Sequence, residues 1–555
     1  MKHCLTALAL VLATGAYAQT TPAPAPAPAA APATASADAA LTPDQASLRA
    51  HIAYLASDEM KGREAGTPEY DKAAAYVAEQ MKRFGAQPAG DDGSYLQRVP
   101  LVSYKLTDKG TMSLTGAPRG TAPLAWGSDF VVSPNPSRAS LTLTAPVVFV
   151  GYGIVAEGRD DYAGADVKGK IVAVMSGAPS NLQSEIRAHL GGAATKAAIA
   201  QSKGAVGIVT LESPTMAKMR PFSNNADNWD HARMTWAEKD GTGHIPAAKT
   251  PALGAISMAG AEKLFAGSGT TYAAAAAAVE GGQPSKPVAL KGRLTASSTT
   301  AITQVPSYNV AGVIPGSDPQ VGKEVVVLSA HLDHVGIGKA VNGDTIYNGA
   351  EDNAVGIASM LEVARKFQSS GQRPKRSVMF LAVTAEEKGL VGAEYFAFNP
   401  TVPKETLVAN VNLDMPIITF PFEDVVAFGA DRSTLGPMVR AAAEKMGVEY
   451  SPDPMPEQSF FVRSDHYRFV QQGIPAVFLW PGVKGPGKAA FDDFLTNHYH
   501  KPSDQLSTLK IDWQSGVRFV EANYAIASEI ANSPQRPAWN KGDFFGLLYN
   551  GYGAK

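Results

Sequence analysis

The run VVVLSA is followed by His331-Leu332-Asp333-His334, SVMFLAVTA by Glu386-Glu387, and LVANVNL by Asp414. A fourth apolar run, PAVFLW, leads into a loop holding His498 and His500, and Asp352 lies in NGAEDNAVG just ahead of a helical stretch at 356–367. Neutral imidazoles mixed with carboxylates suit zinc or a similar divalent ion bound through nitrogen and oxygen. Such an ion can polarise a carbonyl or acidify a bound water. Taken singly, each residue is as readily a turn former, a cap or a solvated charge, and Glu386-Glu387 would equally open a helix, where negative charge is favoured. What they share is position: all stand at or just beyond the ends of strand-like runs, or directly before a helix.

Holding such groups together takes a scaffold whose strand ends converge. From Tyr308 onward short apolar runs alternate with helical ones, at 324–329, 356–367, 377–383, 390–398, 407–412, 435–446 and 476–480. That alternation predicts an α/β fold with a mixed, largely parallel sheet flanked by helices, whose active groups gather at the carboxyl ends of the strands. Two helices are expected earlier, over 48–55 and 70–84, from their apolar spacing. The 555 residues carry Lys+Arg 49 against Asp+Glu 51, a formal charge of −2, so no bulk positive field is present to hold nucleic acid. No G-x-S-x-G and no H-E-x-x-H occurs, which removes the commonest serine-hydrolase and helical zinc-protease signatures. No stretch approaches the roughly 20 apolar residues of a membrane helix, so stable membrane insertion is not expected.

The first eighteen residues, MKHCLTALALVLATGAYA, combine Lys2, an apolar run over 5–13, and Ala16 and Ala18 in an A-x-A pattern. They resemble a secretory signal peptide, which makes the protein exported, to periplasm or medium. Cys4, the only cysteine, falls inside it, leaving no thiolate ligand and no disulfide. Residues 19–40 are an Ala/Pro-rich linker with almost nothing to bury. Between 118 and 300 the texture turns Thr- and Val-rich, then Ala- and Gly-rich. There PVVFVGYGIVAEGRDDYAGADVKGKIVAVMSG reads as strand, acidic turn, strand, and ATKAAIAQSKGAVGIVTL as helix then strand. This stretch resembles the protease-associated domain, a β-rich module found inserted in several peptidase families. The expected organisation is a peptidase domain over 41–117 and 301–535, the inserted domain over 118–300, and a tail over 536–555. That tail, WNKGDFFGLLYNGYGAK, is apolar enough to dock on the body or on another subunit.

Taken in order, SAHLDHVG, NGAEDNAVG, TAEEKGLVGAEYF, NLDM, VRSDHYRFVQQGIPAVFLW and HYHKPSD resemble the M28 family of zinc peptidases, and LASDEMKGREAGTPEYDKAAAYVAEQMKRFG resembles that family's opening. The resemblance implies the zinc exopeptidase fold and two Zn2+ ions, with other divalent ions as substitutes. Asp352 would bridge them, His331 and Asp414 completing one ion and Glu387 and His500 the other. Glu386 would be the general base that deprotonates a water held between the ions. Asp333 and Asp504 would orient the imidazoles of His331 and His500, and the Asp352-Asn353 bond would be cis. Ser464-Asp465-His466 would contact substrate, with His466 donating a hydrogen bond. His334 and His498 would stand beside the ligands without joining them; Pro502-Ser503-Asp504 after His500 favours it over His498. Phe460, Phe461 and Tyr467 are candidates for a side-chain pocket.

The favoured reading is therefore an aminopeptidase taking peptide substrates, with oligomeric state open. A carboxypeptidase acting on acidic peptides stays in play through Arg463 and Arg468, which flank the Ser-Asp-His motif and could hold a carboxylate. A one-zinc glutaminyl cyclase on the same fold fits less well, because His331 and Asp414 are both present. A non-catalytic binding protein fits least, since the full ligand set and the base survive.

Overall fold

The computed structural model describes residues 41–282 and 285–555; the signal peptide, the linker and Cys4 lie outside the described residues. Four parallel strands form the centre of the main sheet, in the spatial order Ala476–Pro481, Leu407–Leu413, Val325–His331 and Ser377–Val383. Every residue of these four strands is buried, which is why they read as unbroken apolar runs rather than alternating ones. Antiparallel strands extend the sheet at both sides: Asp424–Phe428 beside Ala476–Pro481, and the far end of Val288–Ile314 beside Ser377–Val383. The fold is thus a mixed, mostly parallel α/β sheet. Val355–Ser369 and Trp513–Asn532 pack on each other and on Val325–His331, while Val391–Phe398 packs on His466–Val470, which rests on Ala476–Pro481. The two early helices run over Pro43–Leu55, opened by a Thr42/Gln45 capping box, and Pro68–Arg83.

A second sheet takes Thr111–Thr115, Phe130–Val132, Ser140–Phe149, Ile171–Met175, Gly207–Leu211 and Ala252–Ile256, together with the near end of Val288–Ile314. Alternate side chains divide between two cores: Val147, Phe149, Ile171, Ala173 and Met175 on one face, Val148, Val150, Val172 and Val174 on the other. The 27-residue strand Val288–Ile314 belongs to both sheets, so no loop marks the passage between them. The sheets also cross the expected boundaries. Thr111–Thr115 pairs within the second sheet, while Arg233–Trp236 returns to pair with Leu96–Leu106 of the first, its Trp236 indole donating to Glu394. The tail packs against the main core, with Trp539 and Phe545 buried and the Trp539 indole donating to the Gly473 carbonyl.

Lys196, on the helix Ala193–Ser202, is 2 % exposed and sends Nζ to the carbonyls of Met175 and Gly177, both at 2.5 Å. Burial pushes its pKa down to about 7, opposed by Asp161, and a neutral amine still has two protons for the two acceptors. Below about 7 both states are charged; from there to 10.5 the unfolded chain binds the extra proton, so this group makes stability rise with pH over that window. Urea unfolding at stepped pH is expected to show that slope in the wild type and to lose it in Lys196→Met.

Candidate metal centre

His331 ends its strand, Glu386 and Glu387 follow Ser377–Val383 by three and four residues, and Asp414 directly follows Leu407–Leu413. Asp352 sits in the turn Ala350–Ala354 that opens the helix Val355–Ser369, and its peptide bond to Asn353 is cis. His331 Nε2 lies 3.2 Å from Asp352 Oδ1 and 3.1 Å from Asp414 Oδ1. His500 Nε2 lies 3.2 Å from Asp352 Oδ2 and 3.0 Å from Glu387 Oε2. Asp352 therefore offers one oxygen to each of two donor groups. His498 turns away, with Nδ1 facing the hydroxyl and carbonyl of Ser503.

These spacings test the fit of zinc. Tetrahedral bonds of about 2.0–2.1 Å separate neighbouring donors by about 3.3 Å, and each imidazole stands 3.0–3.2 Å from its two carboxylates, close to that spacing. Asp352 and Asp414 are 2 % and 4 % exposed and share this place with Glu387 and Glu386, with the imidazoles of His331 and His500 as the nearest positively chargeable groups of the two aspartates. So much negative charge in one sheltered place calls for cations. The donor set is nitrogen and oxygen throughout, as zinc accepts.

Glu386 shares the pocket with His331, Asp352, Asp414 and His500 but stands outside both donor groups. Burial pushes its carboxyl well above the ordinary range, with His331 opposing and Glu387, Asp414 and Asp465 adding to the rise. A carboxylate so disposed is suited to receiving a proton. The rest of the pocket is Met415, Phe460, Arg463, Ser464, Phe478 and Tyr499.

Three expectations change in detail. The Asp333 carboxylate does not hold the His331 ring: it accepts the backbone amides of Glu386 and Glu387 at 3.0 and 3.3 Å, while His331 Nδ1 meets the Asp333 carbonyl at 3.0 Å. The Asp504 carboxylate likewise accepts the amides of Glu351 and Asp352, at 2.8 and 3.0 Å, and so fixes the Asp352 turn rather than His500. In both cases turn amides without a partner in the backbone ladder take up the buried carboxylate in place of an imidazole. Ser464 is tied behind Asp414: its hydroxyl donates to Asp414 Oδ2 at 2.6 Å and accepts from Asn412 Nδ2 at 2.7 Å. Asn412 Oδ1 accepts from Ser329, whose hydroxyl accepts from Asn410, so a buried polar chain aims Asp414. His466 is fully buried, its ring between Phe461 and Phe478, and burial lowers its pKa to about 3. Asp465 is equally enclosed, and burial raises it to about 8. Neither lines the pocket.

Sequence reasoning missed Arg63. It is 0 % exposed and donates to the carbonyls of Leu332, Leu55, Asn348, Gly349 and Asp352, thereby holding both the His331 strand end and the Asp352 turn. It also missed Asn353, which bonds the Leu413 carbonyl and the Gly356 and Met415 amides, locking the turn to the strand that carries Asp414. Arg63 lies in the quoted opening segment, yet nothing in its spacing marks it as buried.

Strand-end donors in two groups sharing one carboxylate, with a free carboxylate beside them, form a centre that can hold metal ions and move a proton next to them. Residues 309–527 match the sequence model of Peptidase family M28. A probable leucine aminopeptidase 2 of Aspergillus oryzae is 27% identical over 252 residues, 41% of this chain and 47% of that protein. The leupeptin-inactivating enzyme 1 of Streptomyces exfoliatus is 28% identical over 239 residues, 40% and 49% of the two chains. The chain thus spans about half the length of these curated relatives. An aminopeptidase structure from Aneurinibacillus sp. strain AM-1 is 20% identical, with a TM-score of 0.48 over 89% of this chain and 95% of that one.

Proposed function

We propose that the protein is an exported di-zinc exopeptidase that removes residues from the free amino end of peptides. The observation that carries this is Asp352 standing between two imidazole–carboxylate groups, with Glu386 beside them. His331, Asp352 and Asp414 would hold one zinc, and Asp352, Glu387 and His500 the other. When bound, the ions supply Lewis-acid polarisation of the scissile carbonyl and acidify water. Glu386 takes the proton of the attacking water on its carboxylate and returns it to the leaving amine. Asp333 keeps Glu386 aimed through its amide, and Ser464 keeps Asp414 aimed through its carboxylate. Met415, Phe460, Phe478 and Tyr499 offer an apolar wall to the substrate side chain.

The test is release of amine from aminoacyl chromogenic substrates, compared with N-acetylated and C-terminally directed peptides, before and after chelation and zinc return. Chelator-sensitive cleavage confined to free-amine substrates is expected; cleavage of blocked peptides alone would overturn the aminopeptidase reading. The carboxypeptidase reading keeps one specific support. Arg468 is engaged by Glu394 at 2.9 Å and the Gly389 carbonyl at 2.9 Å, but Arg463 lines the pocket, its guanidinium over Phe460 and with no carboxylate partner among the described residues. Arg463→Gln is expected to leave aminoacyl amide turnover within about threefold, a change of under ~1 kcal/mol. A tenfold or greater loss confined to substrates bearing a carboxylate would shift the reading.

Region 118–300 fits a protease-associated module that shapes access. Its helix Ser184–Gly191 packs beside Phe460–Val462, Arg432 ties Glu185 to Asp543, and His189 Nδ1 meets the Tyr467 hydroxyl at 2.5 Å. Export through residues 1–18 is checked by sequencing the amino end of the released protein, expected at Gln19.

A further inference from the structure

His334 lies outside the metal set assigned above, yet its ring is aimed at it. The side chain is 0 % exposed, and Nδ1 stands 2.8 Å from Glu387 Oε1 and 3.8 Å from Asp352 Oδ2. These two spacings bracket the ~3.3 Å edge of a tetrahedral zinc site. Among the described residues the two ring nitrogens of His334 and Glu387 Oε1 make no hydrogen bond of ordinary geometry, their one close approach being the 2.8 Å contact with each other. A buried imidazole in that condition is costly unless something between the donors satisfies them. The backbone is also pared away to admit the ring. Gly349 has φ +62°, and a Cβ there would sit 2.5 Å from His334 Cγ. The His500 ring approaches from the other side, with centroids 5.7 Å apart in an edge-on arrangement.

We infer that His334 Nδ1 is a further protein donor to the ion held by Asp352, Glu387 and His500. The inference rests on the two-zinc reading above. It makes the two halves of the centre unequal: two imidazoles and two carboxylates on the Glu387 side, one imidazole and two carboxylates on the Asp414 side. Imidazole binds zinc more tightly than a further water would, so the Glu387 half should keep its ion when the other half has lost it.

The experiment is zinc content by mass spectrometry after dialysis of the full chain against graded chelator, with X-ray absorption at the zinc edge on the loaded wild type. Wild type is expected to lose its ions in two separate steps. His334→Ala is expected to bring the later step to at least tenfold lower chelator, while His331→Ala removes the earlier one. The absorption spectrum should require three imidazoles shared over two zinc ions. Wild type that holds two zinc ions with only two imidazoles between them, or His334→Ala that releases both at wild-type chelator concentrations, overturns the assignment of His334 alone. Wild type that never holds two ions overturns the two-zinc reading itself. If His334→Ala fails to fold, as its circular dichroism would show, the imidazole count on the wild type still decides.

Discussion

Glu386→Gln is expected to give a folded protein with normal zinc content whose turnover falls by about 10²–10⁴-fold, the range for losing a positioned general base. The substitution keeps the volume and leaves the backbone amide of residue 386 free to donate to Asp333 as before. It removes only the ability to accept a proton. Because the Glu386 side chain lies outside both donor groups, zinc binding should not follow activity downward. KM should move little, since no substrate anchor is lost, and kcat should carry the change. Steady-state kinetics beside metal analysis checks both halves: a variant that keeps its turnover sinks the assignment of the base, and one that loses zinc in parallel makes Glu386 a ligand.

The second large effect is expected at Arg63, which touches no substrate. Arg63→Met should lower the stability of the metal-free protein by on the order of 5 kcal/mol, because each carbonyl stranded in the interior costs about 1–3 kcal/mol and five of them now point at one guanidinium. Arg63→Lys should fall between the two, as an ammonium cannot reach acceptors spread over a planar fork. Zinc affinity should drop as well, since two of those carbonyls belong to Gly349 and Asp352. Urea unfolding of the stripped proteins measures the first effect and zinc titration the second. An Arg63→Met protein within about 1 kcal/mol of wild type would show that water, rather than this side chain, serves those carbonyls.

What the sequence discloses and conceals follows from how each residue acts. The rim positions of His331, Glu386 and Asp414 were legible because buried parallel strands are continuous apolar runs, and the first ionisable residue at the end of such a run stands at the sheet's carboxyl rim. Asp333 and Asp504 were placed near the centre but given the wrong partners. Spacing along the chain shows that a carboxylate is within reach, yet turn amides and imidazoles lie equally close, and only the backbone path decides between them. Ser464 was legible as a motif and not as a support for Asp414, because its partners Asn412 and Asp414 come from a strand fifty residues away. His334, three residues beyond His331, shows nothing in its spacing of its approach to Asp352 and Glu387, because the turn that carries Asp352 and the loop that carries Glu387 come from elsewhere in the chain. The domain edges were blurred because Val288–Ile314 passes through both sheets without a turn residue to mark the change.

That shared strand also ties the assembly of the two sheets together. Leu106 pairs with Thr300, so the whole inserted region separates two neighbours in one sheet, a non-local contact of the kind that slows folding. Closing so long a loop costs only slightly more than closing one half its length, so the delay is a matter of waiting for chain rather than of energy. Until residues 288–314 have been synthesised, Leu96–Leu106 can pair only with the four residues Arg233–Trp236, leaving one edge open to other chains. Once Ser140–Phe149 captures the near end of that strand, its far end is delivered in register between Leu96–Leu106 and Ser377–Val383. Because one strand serves both sheets, damage to the core of the second sheet is expected to leave the edge of the first unpaired and to surface as aggregation of newly made protein.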